Sequence, residues 1–424
     1  MLTNQKIYKY FLCNTIMGII IIKKYRNERK LIIAFILFIF LFSTAFPVIN
    51  SSSIDGLYDN TIGEQYHYFN YQEMIDLLHD LESEYPDIVK LENLGYTYEG
   101  RSVWMVKLSD NVDEDEDEPG VLLMGAHHGD EKPSFETVIF FIKHMVYNYT
   151  KINTDDDGDG QINEDIIDGI DNDEDGLLDE DPSEDRVRDV INNTQIFCIP
   201  MVNPDGVEAN TRKNRAPNYG PFGQSDEITS YGVDLNRNYG FRWFLPYFFK
   251  ENYHYDWLTN DYAGCYRGVR PFSEAESSAV KNFVETQDIS ISLSYHDYGE
   301  WMIFPWMHSS RWVFHERLFR SIGENMSRIN KYELRIFGQY GTREYLLPRY
   351  EGTIGSSENW LYGHRKIIAY TVELCPYRAP TNPNIVYDAI YKHVGVNLYV
   401  CERSLTIEEE KLTTFKPNFF NDFY

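Results

Sequence analysis

The sequence predicts an α/β fold: a mixed, mostly parallel central sheet with helices on both faces. Two observations predict it. Short apolar runs recur at 121–124, 195–200, 289–295 and 367–374. Between and around them stand stretches with apolar residues at helical spacing, at about 134–146, 274–286, 312–329 and 384–400. Strands separated by helices build a sheet covered on both sides. In such sheets ligands sit outside the strand ends, so the polar residues that close these runs are where chemistry is expected.

Composition permits this fold. The chain has 424 residues, 43% of them hydrophobic, with 33 Tyr and 26 Phe, enough to fill a large core and to exclude general disorder. The formal charge of −27 argues against gripping a nucleic acid, whose phosphates call for Lys and Arg.

The elements follow in order. Lys23, Lys24, Arg26, Arg29 and Lys30 precede an unbroken apolar run at 31–42, then Ser43, Thr44 and Ala45. Residues 1–50 read as a secretory signal with an overlong basic region, or as a retained anchor, because apolar character continues to Ile49. Either reading places the protein outside the cell or on its surface, with membrane contact only through this segment. Seven Lys/Arg and one Glu give residues 1–50 a net +6, so the remainder is near −33. Of the Cys beyond this segment, Cys198, Cys265, Cys375 and Cys401 show no CxxC spacing. Cys198 and Cys375 lie in strand-like runs and read as buried thiols, while disulfide pairing stays open. A polar linker spans 51–65. Met74, Leu78, Leu81 and Tyr85 then recur at helical spacing until Pro86.

Residues 152–185 break the pattern, with 16 acids and no Lys or Arg. Asp155, Asp157 and Asp159 precede Gly160, and 16 residues later Asp171, Asp173 and Asp175 precede Gly176. Alternating oxygen side chains, a turn-forming Gly and further acids suit a hard cation that wants six to eight oxygens, so about two structural Ca²⁺ are expected. Ile166 and Pro182 stand where an EF-hand has its closing Glu, and no helical pattern flanks the repeats. The segment therefore resembles the helix-free calcium repeats of thrombospondin type 3 modules. The alternative is a solvated acidic linker. The acidic run at 113–118 lacks this spacing and reads as a solvated loop.

The run at 121–124 opens onto His127-His128-Gly129-Asp130-Glu131. His128 and Glu131 are placed to hold two positions of a zinc site, and His296, at the end of the 289–295 run, supplies a third. Three protein ligands leave one tetrahedral position open, the catalytic arrangement. Arg212 and Arg237 are basic residues near this candidate in an acidic chain, suited to an anionic substrate group. Glu373 lies inside an apolar strand, where a carboxylate must be neutral, paired or functional; beside an activated water it is placed as general base.

These motifs, in this order, resemble the zinc metallocarboxypeptidases of the carboxypeptidase A/B/T type. The resemblance runs from about Tyr66 to Arg403, a catalytic domain of 66–403 with 152–185 inserted and a tail at 404–424. It implies zinc ligands His128, Glu131 and His296, one catalytic Zn²⁺, and Glu373 as base. It also implies Arg212 as the arginine on the scissile carbonyl, and Asn236 and Arg237 as the pair gripping a peptide's terminal carboxylate. Tyr350 matches the mobile tyrosine that closes on substrate, one residue further from Trp360 than usual. Two positions depart: Asp130 stands where the family has Arg, and Asn359 where it has Asp. Glu358 falls at the base of the specificity pocket, which would favour C-terminal Lys or Arg. The 51–65 linker leaves no room for a folded inhibitory propeptide. The expectation is a secreted exopeptidase acting on peptide and protein C-termini. Two alternatives stand beside it: a peptidoglycan amidopeptidase on the same fold, and a calcium-binding surface protein with an inactive peptidase domain.

Overall fold

The computed structural model describes residues 61–62, 65–151, 184–218, 230–244, 265–308, 313–336 and 353–413. The signal or anchor segment, Tyr350, and Asp155 to Asp175 of the acidic repeats lie outside the described residues.

Eight strands form one sheet: β1 (Val89–Tyr96), β2 (Ser102–Leu108), β3 (Gly120–Met124), β4 (Gln195–Ile199), β5 (Ile289–Asp297), β6 (Trp301–Phe304), β7 (Glu333–Ile336) and β8 (Ile368–Leu374). Their spatial order is β7-β6-β8-β5-β3-β4-β2-β1. The central strands β8, β5, β3 and β4 are mutually parallel, and antiparallel pairings begin at β6 and β2. Every residue of β3, β4 and β5 is buried. That accounts for the apolar sequences of β3 and β4, since a parallel strand covered on both faces has no solvent side, while β5 alternates Ile or Leu with small, buried Ser.

The helices are α1 (Tyr71–Glu84), α2 (Pro133–Tyr149), α3 (Glu184–Ile191), α4 (Pro204–Ala209), α5 (Ala275–Thr286), α6 (Glu316–Asn330), α7 (Ser357–Trp360) and α8 (Pro383–Thr413). Helix α1 starts at a capping box, in which the Asn70 side chain accepts from the Glu73 N–H while the Glu73 carboxylate accepts from the Asn70 N–H. On one face of the sheet, Met105, Leu122, Met124, Phe197 and Ile199 pack with Val280, Phe283 and Val284 of α5 and with Trp360. On the other face α2 and α8 lie against β5, and the Tyr295 hydroxyl donates to Asn397 Oδ1 of α8 at 2.5 Å. Among the described residues no helix is long and apolar enough to cross a membrane.

The last helix runs through the boundary expected at 403. Val400, Ser404 and Ile407 continue its buried stripe at helical spacing, so packing carries the helix on to Thr413. The loop holding the acidic run 113–118 is only partly solvated: Asp113, Glu114, Asp115 and Asp117 are exposed, whereas Glu116 and Glu118 gather with Asp110. Burial and the charges of Glu116 and Asp110 push the Glu118 carboxyl up to about 7. Cys198, Cys375 and Cys401 are buried free thiols, and no disulfide occurs among the described residues.

Between β4 and α5 the chain makes a long excursion, residues 200–274, of which 200–218, 230–244 and 265–274 are described. It starts from the end of interior strand β4 and brings Arg212, Asp234 and Asn236 to the strand ends, with Arg237 next to them.

Candidate active site

Three adjacent parallel strands aim their C-terminal ends at one point. Strand β3 delivers His128 and Glu131 through the turn that follows it, β5 carries His296, and β8 carries Glu373. Glu373 stands in register beside His296, so the two share a face of the sheet. The turn after β3 is tight: a Cβ on Gly129 would come within 2.0 Å of the Gly206 carbonyl carbon, so only glycine allows α4 to sit there.

His128 Nδ1 lies 2.9 Å from Glu131 Oε1 and 3.1 Å from His296 Nδ1, and His296 Nδ1 lies 2.9 Å from Glu131 Oε2. All three side chains are buried. Two imidazole nitrogens that close, with a carboxylate between them, face each other with lone pairs unless a cation draws them together. The outer nitrogens fix this orientation. His128 Nε2 sits 3.0 Å from Asp234 Oδ1, which holds its proton there and leaves Nδ1 free as a donor atom. With His296 Nδ1 turned to the ligand set, its Nε2 proton can go to Ser294 Oγ at 3.3 Å, and the Asn236 amide nitrogen lies at 3.1 Å. Nitrogen and carboxylate donors in a His-Glu-His set, with outer partners in place, fit zinc.

The charges are interlocked. Burial works to raise the Glu131 carboxyl, but His128 and His296 hold it well below the usual carboxylate range. Burial and the Arg212 charge oppose protonation of His128, yet Glu131 and Asp234 raise it. His296 is lowered by burial. Asp234, fully buried, is kept well below its ordinary value by Arg212, His128 and Arg237 against the cost of burial. Arg212 donates to it from Nε at 3.0 Å and turns Nη1 to Glu131 Oε1 at 3.1 Å. Glu373 is pushed up to about 8 by burial and by the charge of Glu131.

Asn236 stands on the His296 side, and the charge of Arg237, next to it, is felt at Asp234 and Glu358. The Ser357 N–H donates to Asn236 Oδ1 at 2.8 Å, which ties the excursion to the start of α7. Next to Ser357, Glu358 is fully buried; Thr371 donates to its Oε2 at 3.1 Å, and Oε1 has no hydrogen-bond partner among the described residues. Burial raises its carboxyl, with Arg237 among the groups pulling it back. The backbone closes tightly beneath: Gly355 has φ +78, and a Cβ there would meet the Arg237 carbonyl oxygen at 2.0 Å. Residues expected in one site are thus brought together, apart from Tyr350, which lies outside the described residues. Arg215, three residues past Arg212 in the same basic run, points toward Glu99 at 3.5 Å.

A family model described as zinc carboxypeptidase matches residues 74–389. The chain belongs to that family. It is 26% identical over 329 residues to a zinc carboxypeptidase of Saccharothrix mutabilis subsp. capreolus, covering 73% of this chain and 62% of the relative. It is 26% identical over 332 residues to carboxypeptidase B of Helicoverpa zea, covering 75% and 65%. The chain thus spans less than two thirds of the length of these two relatives. Its fold is that of carboxypeptidase A from Helicoverpa armigera (TM-score 0.60, 18% identity, 84% and 78% covered) and of thrombin-activatable fibrinolysis inhibitor (TM-score 0.61, 18% identity, 80% and 75% covered).

Two features of this zinc carboxypeptidase site were not read from the sequence. Asp234, the carboxylate behind His128 and Arg212, left a signal as an acid between apolar Val233 and Leu235, at the start of the single helical turn Leu235–Arg237 that carries Asn236. His127, beside the ligand, faces inward; it lies 2.8 Å from the Tyr239 hydroxyl and 3.1 Å from Ser294 Oγ, and burial holds it well below its usual range.

Proposed function

We propose that the protein is a zinc-dependent metallocarboxypeptidase that removes C-terminal amino acids from peptides and favours Lys or Arg at that end. The observation that carries this reading is the register of Glu373 beside His296, with the His128-Glu131-His296 set before it and Asn236 and Arg237 to one side. Zinc held by His128, Glu131 and His296 supplies a Lewis acid for the scissile carbonyl and lowers the pKa of water.

The chain's own residues do the rest. Glu373, in register beside His296, takes the proton of the attacking water and passes it to the leaving amine. Arg212, anchored by Asp234, offers guanidinium donors to the oxyanion as charge develops. Asn236 and Arg237 bind a free terminal carboxylate, which confines the enzyme to chain ends. Glu358, buried with an unpartnered oxygen, supports a preference for a basic side chain, since a cation there would satisfy it.

The same reading includes export by residues 1–50 and about two Ca²⁺ held by Asp155, Asp157, Asp159, Asp171, Asp173 and Asp175. Blocked dipeptides that differ only at the C-terminal residue test the activity and the pocket together. Release of Arg or Lys should exceed release of Phe, a zinc chelator should abolish both, and Glu358→Leu should cut Arg release roughly 10²-fold. Chelator-insensitive cleavage would sink the mechanism, and a wild-type preference for Phe would sink the pocket assignment. Cleavage confined to D-residue-containing wall peptides would replace the reading with an amidopeptidase.

A further inference from the structure

We propose that Arg378, latched to Asp130, reads the acyl side of the substrate and favours peptides with a carboxylate just upstream of the scissile bond. This rests on the carboxypeptidase reading above.

The backbone that presents Arg378 is pinned between two strands of the site. Beyond Glu373 the chain is held at the end of β5: the Ala379 N–H donates to Asp297 Oδ2 at 2.5 Å, and the Gly299 N–H donates to the Leu374 carbonyl at 3.1 Å and the Cys375 carbonyl at 2.8 Å. From there the guanidinium reaches back across the turn after β3. Its Nη1 donates to Asp130 Oδ2 at 2.7 Å and its Nη2 lies 3.5 Å from Glu131 Oε1. Arg212 approaches that same oxygen at 3.1 Å. Two guanidiniums therefore converge on one oxygen of the zinc-site carboxylate.

They differ in what they have left to give. Arg212 spends Nε and Nη2 on buried Asp234. Arg378 is bound mainly through Asp130, and its side chain stays 42% exposed. A guanidinium carries five N–H donors in a planar fork, so most of those on Arg378 remain for a ligand. Its place sets which part of a ligand it meets. Of the pair that holds the terminal carboxylate in the proposed mode, Asn236 contacts the site from His296 and Arg237 is its neighbour in the chain. Arg378 contacts it from Asp130 and Glu131. A peptide whose last residue lies on Asn236 and whose scissile carbonyl lies at the His-Glu-His set carries its preceding residues toward Arg378. Exposed Tyr298 and Tyr377 follow the same two strands and give that rim apolar surface.

Asp130 is part of the device. It holds the guanidinium in place over the turn, and it competes for it. A substrate carboxylate gains from Arg378 while Asp130, 21% exposed, opposes it. The net preference is therefore modest, about three- to fivefold, as for other solvent-exposed ion pairs, and it shrinks with salt.

The experiment uses the full zinc-loaded chain and blocked tetrapeptides with a fixed C-terminal Arg. Each of the two residues before the scissile bond is set in turn to Glu, Gln or Lys. The enzymes are wild type, Arg378→Ala, Arg378→Lys and Asp130→Asn, with zinc content measured for each. The expected result is kcat/KM in the order Glu, Gln, Lys at one of the two positions. Arg378→Ala should flatten that order with zinc content unchanged, Arg378→Lys should keep part of it, and Asp130→Asn should steepen it. The Gln peptide reports the carboxypeptidase reading separately: if it is not cleaved by wild type, that reading fails and this one with it. If it is cleaved, an order that survives Arg378→Ala, or no order in wild type, overturns the role of Arg378 alone. Loss of zinc in Arg378→Ala also overturns it, because the residue would then act on Glu131 and not on substrate.

Discussion

Replacing Asp234 by Asn removes one charge from the middle of the site while keeping its shape. The carboxylate lies 3.0 Å from Nε and 3.0 Å from Nη2 of Arg212, and 3.0 Å from Nε2 of His128, with no solvent exposure. An amide has a single oxygen to offer three donors, so at least one contact is lost and the guanidinium loses its counter-charge. Breaking a buried ion pair from one side costs about 3–5 kcal/mol, and the apo protein should lose stability on that scale. Two functional losses should accompany it. Zinc affinity should fall roughly 10–100-fold, because His128 is no longer held by an ionised partner. The kcat/KM should fall about 10²–10³-fold, because Arg212 can swing off the oxyanion position. Chelator competition reads the first, peptide hydrolysis at saturating zinc the second, and thermal melting confirms a folded variant. A folded Asp234→Asn enzyme with zinc affinity and kcat/KM within threefold of wild type would refute the argument that Asp234 organises both His128 and Arg212.

Three further predictions follow from the geometry. Glu373→Gln should lower kcat about 10²–10⁴-fold while retaining zinc, measured by metal content after dialysis; full activity would remove Glu373 as base. Glu276, buried beside Glu274, Asn214 and Asp205, has its carboxyl pushed up to about 8 by burial. Its contribution to stability is complete below the ordinary value near 4.5 and lost as pH rises toward 8, so Glu276→Gln should stabilise the fold by a few kcal/mol at pH 8 and little at pH 4.5; melting curves at the two pH values decide it. Calcium removal should lower the melting temperature by more than it lowers kcat; a melt unchanged by Ca²⁺ would refute the reading of 152–185 as a calcium segment.

Much of the sheet was legible because its central strands are buried on both faces and bounded by Gly or polar residues. Strands β3, β4, β5 and β8 differ from the apolar runs by one to two residues at their ends. Strands β6 and β7 were not, since four residues each give no period to read. Ligand positions were legible because they follow strand ends directly. Asp234 and Arg378 were not, for different reasons. Asp234 acts through other side chains, and its sequence context carries no metal spacing. Arg378 meets Asp130 across 248 positions of chain, a pairing made only by the closing of β8 onto β5.

The excursion between β4 and α5 has a consequence for how the enzyme breathes. His128, Glu131 and His296 belong to a sheet strand and the turn beside it, whereas Arg212, Asn236 and Arg237 belong to the excursion. Among the described residues the excursion is held to the rest of the fold by separate bonds and not by pairing with a sheet strand: Thr97 to Asp205 at 2.8 Å, the Ser357 N–H to Asn236 at 2.8 Å, the Tyr239 N–H to the Gly355 carbonyl at 2.9 Å, and Asp234 to His128 at 3.0 Å are examples. Partial opening of a protein proceeds in such units, each with its own free energy. Amide protons of the excursion should therefore exchange before those of β3 and β5, through an open form in which the ligand set persists while the grip on the peptide terminus is gone. Metal content alone would then overcount competent molecules, and the fraction of time spent closed would enter kcat/KM as a factor separate from chemistry.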